Sequence, residues 1–206
     1  MTETVDVDAL TARLRALEEQ NATLRENANL ERPTGGWWRA VASALVIVIA
    51  GILVPVSIAG AGYSMGGQIG VKGGLHIDMR AMNQLVWVKP ADRAVRVQAG
   101  MRWRDLQDVL DPLGLAVKIM QSYSNFTIGG SVSVNCHGRY VGLGPVGHSV
   151  RALQLVTADG AVLEVNTEQR PDLLAAAIGG YGAVGVITEV ELDVVPNVRI
   201  ERRVQQ

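Results

Sequence analysis

The sequence predicts an α+β or α/β domain built on mixed sheets, entered through a helical N-terminal segment. Three observations carry this reading. Between Val56 and Val195 short β-branched runs alternate with glycine turns and helical stretches, and the hydropathy pattern changes character at Pro55. The third is composition: 23 glycines against 4% aromatic residues suit a fold in which backbone, more than side chain, approaches a ligand. At 206 residues and 48% hydrophobic content, the chain can hold one full domain and an appendage.

Charge and cysteine usage exclude several classes. The formal charge is −1 with a pI of about 6.3, and the Lys and Arg residues are scattered, so the basic patch that nucleic-acid binding needs is missing. One cysteine, Cys136, forbids an intrachain disulfide and a cysteine-based metal cluster. His76, His137 and His148 show no metal-ligand spacing, so no metal is expected.

From the N-terminus, Val7, Leu10, Leu14, Leu17, Leu24 and Ala28 fall on a and d positions of a heptad pattern, with Asn21 at an a position. Arg13 at g and Glu18 at the next e carry signs that pair across a parallel dimer. Residues 1–33 are therefore expected as a coiled-coil helix forming a parallel homodimer through residues 7–28, or as a lone amphipathic helix. Pro33, Gly35 and Gly36 stop it. No residue from Ala40 to Val71 is charged. The apolar part from Trp37 to Val54 spans roughly 27 Å as a helix at about 1.5 Å per residue, close to a hydrocarbon core of about 30 Å. Residues 37–55 are expected as one transmembrane helix in the lipid bilayer, with the tryptophans at the interface. Arg32 and Arg39 place the N-terminus in the cytoplasm and the remaining domain on the far side. The soluble alternative is a buried strand or core helix.

Residues 56–203 follow as the domain proper. Val56 to Ala59 reads as a strand emptying into a glycine loop. Leu75 to Met79, Gln84 to Pro90 and Ala94 to Gly100 are strand-like, the last two joined by a Pro-Ala-Asp-Arg turn. Met101 to Gly114 predicts a helix with Leu106, Val109, Leu110 and Leu113 on one face. Leu115 to Met120 returns to strand. Asp159-Gly160 predicts a hairpin between Ser149–Ala158 and Ala161–Asn166. A short helix over Pro171–Gly180 and a long strand over Gly185–Val195 complete the domain.

Gly60-Ala61-Gly62 after a strand invites a dinucleotide fingerprint, with Asp78 placed as the ribose-binding acid. Its context fails, because Met65 replaces the third glycine and Gly66, Gly67, Gly70, Gly73 and Gly74 interrupt any helix. Successive backbone N–H groups of this loop suit a pyrophosphate all the same, with Ser64 adding a hydroxyl. A second loop, Thr127-Ile128-Gly129-Gly130-Ser131, is expected to open a short helix through Cys136, its N–H groups and positive end near the same anion. Each loop taken alone also reads as a structural turn.

VSIAGAGYSMGGQ, GGLHIDMRAMNQ, VQAGMRWRDLQDVLDPLGL, SNFTIGGSVSVNCHGR, VRALQLVTADG and AAAIGGYGAVGVITEVEL, taken together and in order, resemble the PCMH-type FAD-binding domain of the vanillyl-alcohol oxidase and p-cresol methylhydroxylase superfamily. The resemblance is greatest to the sugar and polyol oxidase branch, which includes alditol oxidases, gulonolactone-type oxidases and decaprenylphosphoryl-ribose oxidase. It covers about Pro55 to Arg203 and implies an α+β fold. It implies that Gly60, Ala61, Gly62, Tyr63, Ser64 and Met65 form the pyrophosphate loop, and that Thr127, Gly129, Gly130 and Ser131 hold the diphosphate and ribityl chain. Asn135, Cys136, His137 and Gly138 would pass beside the flavin, and Val186 and Ile187 would meet the adenine end through their backbone. Tyr63 stands where some relatives carry a histidine linked to the flavin, so the resemblance implies non-covalent FAD. His137 would orient a small-molecule substrate or stabilise the reduced flavin's negative charge; a histidine bonded within the fold is the equal alternative.

Against the family pattern, the coiled coil and apolar helix stand in place of a small first lobe, and the cap domain that would follow Val195 is missing. An incomplete, fused or truncated product is expected. The implied activity is a membrane-anchored FAD-dependent oxidoreductase taking hydride from an alcohol carbon of a sugar or polyol-like substrate. The alternatives are a non-catalytic or remnant flavin-binding module and a membrane-anchored dimeric scaffold without cofactor.

Overall fold

A computed structural model of the chain describes residues 55–64, 66, 67, 69–198 and 201. The expected coiled coil (1–33) lies outside this set, as does the expected membrane helix (37–55) apart from Pro55. Among the described residues no helix is long and apolar enough to cross a membrane. Residues 56–59, expected as a strand, are strand.

That strand, β1 (Val56–Ala59), pairs in parallel with β2 (Leu75–Asp78), Val56 opposite Leu75 and Ala59 opposite Asp78. A parallel pair needs a crossover of a dozen or more residues, usually a helix. Here the crossover is the glycine loop itself, which leaves the end of β1 and returns to the start of β2. At the end of β2 the Asp78 carboxylate accepts from the Arg80 amide at 3.0 Å and caps a 3-10 turn over Met79–Ala81, so the strand stops one residue short of the predicted Met79.

The larger sheet contains β3 (Leu85–Lys89), β4 (Ala94–Gln98), β8 (Val186–Pro196), β6 (Val150–Val156) and β7 (Val162–Asn166) in that spatial order, with β5 (Leu115–Val117) paired to the distal part of β8. Every pairing in it is antiparallel. The expected mixed sheets are thus resolved into one parallel pair and one antiparallel sheet. The 11-residue β8 is the shared partner of β4, β6 and β5, which makes it the axis of the domain. Both turns read from the sequence are present: Arg93 and Gly160 adopt left-handed backbone at the β3–β4 and β6–β7 connections.

Alternation along the strands gives this sheet two unlike faces. Val95, Val97, Leu153, Leu155, Val190 and Leu192 belong to the buried apolar core. On the opposite face Arg96 reaches three carboxylates from two other strands. Its Nε donates to Glu189 at 2.6 Å, Nη1 and Nη2 donate to Glu164 at 2.6 and 2.7 Å, and Glu191 lies 3.8 Å away. Burial by itself pulls the Arg96 pKa down, but the bonds to Glu164 and Glu189 outweigh it and hold the guanidinium charged.

Helix α1 (Trp103–Leu110) is shorter than predicted and buries Trp103, Leu106 and Leu110. Leu113, expected on the same face, is exposed, because the chain tightens into a 3-10 turn around Pro112 and closes at left-handed Gly114. Proline has no N–H to continue the α ladder. Strand β5 ends at Val117 rather than Met120. Helix α2 (Ile128–Ser133) stops short of the predicted Cys136, since Asn135 turns left-handed with φ 45°. Helix α3 (Pro171–Ala177) likewise ends ahead of Gly180.

Candidate functional site

The two glycine loops meet. A Cβ on Gly60 would lie 2.0 Å from Thr127 Oγ1, so only glycine lets the β1 loop seat against the residue that precedes α2. The second loop is stapled in turn to the segment before α1: Ile128 N donates to Met101 O and Gly129 N to Ala99 O, each at 2.8 Å, and Trp103 N donates to Phe126 O at 3.2 Å. This alters the expected role of α2. Its first two amides, which the sequence reading aimed at an anion, are spent on carbonyls of the chain. Gly129 and Gly130 still line the space that opens between the loops.

That space is a cleft of about 320 Å³ walled by β1, Ala99, Thr127, the glycines of α2, and a third segment carrying Tyr181, Gly182, Gly185 and Ile187. It continues into a hollow of about 150 Å³ between Gly60–Ser64 and Phe126. Among the described lining residues none is Asp, Glu, Lys, Arg or His. The polar surface is main chain and hydroxyl: Ser57, Ser64, Thr127, Ser133, Tyr63 and Tyr181. Ser57 Oγ lies 2.8 Å from His76 Nδ1, which orients it from outside. A ligand held together by a diphosphate fits such a wall, since amides and hydroxyls can meet its oxygens and no carboxylate opposes it.

The predicted site residues divide around this cleft. Gly60, Ala61, Gly62, Tyr63, Ser64, Thr127, Gly129, Gly130 and Ile187 line it. Met65 lies outside the described residues. Ser131 is buried and its Oγ accepts from Trp103 Nε1 at 2.9 Å, so its hydroxyl is committed to the core. Val186 pairs with Val156 at the start of β8 and is buried. Asn135, Cys136, His137 and Gly138 are not on the wall. The Asn135 side chain accepts from Gly147 N at 2.9 Å. Burial raises the Cys136 thiol pKa, with Ser131 partly offsetting it. The His137 ring is exposed, its Nδ1 3.3 Å from Gly138 O. Asp78, the sequence's candidate for a ribose acid, is forked onto Arg80, whose hydrogen bonds lower its pKa to about 2.

Tyr63 joins a ring cluster at the mouth of the smaller hollow, its centroid 4.6 Å from Phe126 and 5.3 Å, edge-on, from Tyr123. Aromatic contacts of this kind fix a ring's orientation. Among the wall residues given no ligand-binding role from the sequence are Ile58, Ala99, Ser133, Tyr181, Gly182 and Gly185. For the last three a signal lies in GGYGAVG, where Gly179 and Gly180 read as the end of a helix and Gly185 as the start of a strand.

A family model for an FAD binding domain matches residues 43–166. The mouse (Mus musculus) L-gulonolactone oxidase is 35% identical over 141 residues, which are 68% of this chain and 32% of that protein. The decaprenylphosphoryl-beta-D-ribose oxidase of Mycolicibacterium smegmatis is 34% identical over 66% of this chain and 30% of its own length. A mitochondrial L-galactono-1,4-lactone dehydrogenase of Oryza sativa subsp. japonica is 32% identical over 66% of this chain and 23% of its own. The chain thus spans less than a third of the length of these relatives. With the match running through both glycine loops and β6–β7, the chain belongs to the FAD binding domain family.

Proposed function

We propose that the chain is the flavin-binding part of a membrane-anchored oxidoreductase that oxidises an alcohol carbon of a sugar, sugar-lactone or polyol-like substrate, with FAD held non-covalently. The observation that carries this is the uncharged, main-chain-lined cleft between the two glycine loops, in a chain similar to enzymes named as lactone and ribose oxidases and dehydrogenases. FAD supplies the hydride acceptor when bound. The chain's own part is to seat the diphosphate against the Gly60–Ser64 loop and the Thr127–Gly130 turn, and to exclude water with Ile58, Ile187 and Phe126. Tyr63 at the place of a linking histidine supports non-covalent attachment. His137 is the candidate to orient substrate or to stabilise negative charge on the reduced cofactor; its exposed ring would have to be met by whatever packs over that face.

The test is the visible absorption spectrum of the detergent-purified full chain, before and after acid precipitation. Flavin bands that pass into the supernatant support the reading. Flavin in the pellet overturns non-covalent attachment, and a colourless protein that takes up no added FAD overturns the function.

A second reading, a flavin-binding module without turnover, is favoured by the absence of any acidic, basic or histidine side chain among the described residues of the wall. Anaerobic bleaching of the bound flavin by a sugar, lactone or polyol would exclude it. The anchor at Trp37–Val54, with the N-terminus cytoplasmic, and the parallel dimer through residues 7–28 belong to the same proposal. Release of the protein by alkaline carbonate would refute the anchor, and failure of Leu17→Cys to cross-link would refute the dimer.

A further inference from the structure

We propose that Tyr181 is a cofactor-contacting residue, held in a strained backbone position so that its ring stands where the two hollows of the cleft join. This rests on the FAD reading above. Six residues line both hollows: Ile58, Gly60, Thr127, Gly130, Ser133 and Tyr181. Tyr181 has the largest side chain of the six and is 60% exposed, far above what a core tyrosine shows. A ligand that occupies both hollows must pass it.

The backbone supplies the second observation. Tyr181 has φ 52°, between left-handed Gly179 at 79° and Gly182 at 82°. Left-handed backbone is costly for a bulky side chain and free for glycine, so this loop would close with less strain had glycine stood at all three positions. The strain is held from two sides. Tyr181 N donates to Ser133 O at 2.9 Å and Gly179 N to Val132 O at 3.0 Å, tying the loop to the end of α2. On the other side Gly182 packs on β1, where a Cβ would meet Ile58 Cδ1 at 3.4 Å. A ring kept exposed at a strained position that its surroundings over-determine points to a role outside packing. Its flat face can cover an aromatic or sugar portion of the dinucleotide, and its hydroxyl can donate to a diphosphate oxygen.

The experiment compares the full chain with Tyr181→Gly, Tyr181→Asn and Tyr181→Phe, reading the melting temperature without cofactor and the Kd for FAD from quenching of flavin fluorescence. Glycine and asparagine both tolerate the left-handed position, so folding is preserved by two independent routes. The expected result is a melting temperature at or above wild type for Tyr181→Gly, with FAD bound at least ten-fold more weakly by both Tyr181→Gly and Tyr181→Asn. Tyr181→Phe within about three-fold of wild type assigns the contact to the ring, and an equal ten-fold loss assigns it to the hydroxyl. Wild-type Kd in both Tyr181→Gly and Tyr181→Asn overturns the proposal while leaving the FAD reading intact. A wild-type chain that binds no FAD overturns both.

Discussion

Replacing Gly60 by alanine tests whether the two glycine loops form one unit. The new methyl would start 2.0 Å from Thr127 Oγ1, 3.1 Å from its Cβ and 3.3 Å from its Cγ2. Ordinary carbon contacts are about 3.5–4.0 Å, so the nearest pair must separate by roughly 1.5 Å. Thr127 is 3% exposed and carries α2 behind it, so it cannot swing into solvent. Overpacking of this kind costs about 1–3 kcal/mol. At about 1.4 kcal/mol per factor of ten, the same strain taken up by the cleft would weaken FAD binding by roughly 5- to 150-fold. Thr127→Ala removes Oγ1 and Cγ2 and leaves the Cβ at 3.1 Å, a contact that a small shift relieves. In a double-mutant cycle, Gly60→Ala with Thr127→Ala should therefore recover at least half of the loss seen in Gly60→Ala alone. Melting temperature and fluorescence titration with FAD read the two effects separately. Gly60→Ala at wild-type stability and affinity, or additive single-mutant effects, would refute the contact as the element that joins the loops.

Two further outcomes follow from groups outside the cleft. Ser131→Ala leaves the buried Trp103 Nε1 without its acceptor and should cost about 1–3 kcal/mol in chemical denaturation, a loss that Trp103→Phe in the same chain largely removes because no donor remains; equal costs in the two backgrounds would exclude the bond. Burial raises the Asp193 pKa, but hydrogen bonds from Lys118 at 2.8 Å and Arg151 at 2.6 Å outweigh this and hold it below its ordinary value. A folded pKa below the unfolded one, near 3.9, means this contribution is complete above that value and is lost as the pH falls through the folded pKa. The melting temperature of Asp193→Asn should therefore fall less steeply below about pH 4 than that of wild type, and parallel curves would show that the pair contributes nothing.

The fold was legible where the signal is local. Asp159-Gly160 between two β-branched runs defines the β6–β7 hairpin, and the apolar run after Gly185 predicts the central strand β8. Leu106 and Leu110 mark the buried face of α1. Legibility ended where tertiary contacts decide. Leu113 obeys the helical spacing of α1 but follows a proline that turns the chain before it can reach the core. Trp103 was the missed core anchor, and its indole explains why Ser131, plausible as a diphosphate contact, faces inward. Nothing local in TIGGS reveals that Ile128 and Gly129 donate to the chain rather than to a ligand, because their acceptors lie more than twenty residues earlier, at Met101 and Ala99. The third wall of the cleft comes from a segment some fifty residues beyond the second loop. Its first glycines look like a helix stop and Gly185 like a strand start until the fold brings Gly182 beside Ile58 of β1.

The Arg96 cluster bears on how the chain avoids a wrong pairing. Strands β4 and β8 are both rich in valine, and neighbouring registers of such strands differ little in apolar contact. A slip of one residue would turn β4 over and carry the guanidinium to the face that holds Val95 and Val97, while Glu189, Glu191 and Glu164 stayed behind as three carboxylates sharing no cation. A buried unpaired charge is among the most expensive faults a fold can contain. The cluster therefore acts as a key that admits one alignment of the central strands, and through β8 it fixes where Gly185 and Ile187 come to rest against the cleft.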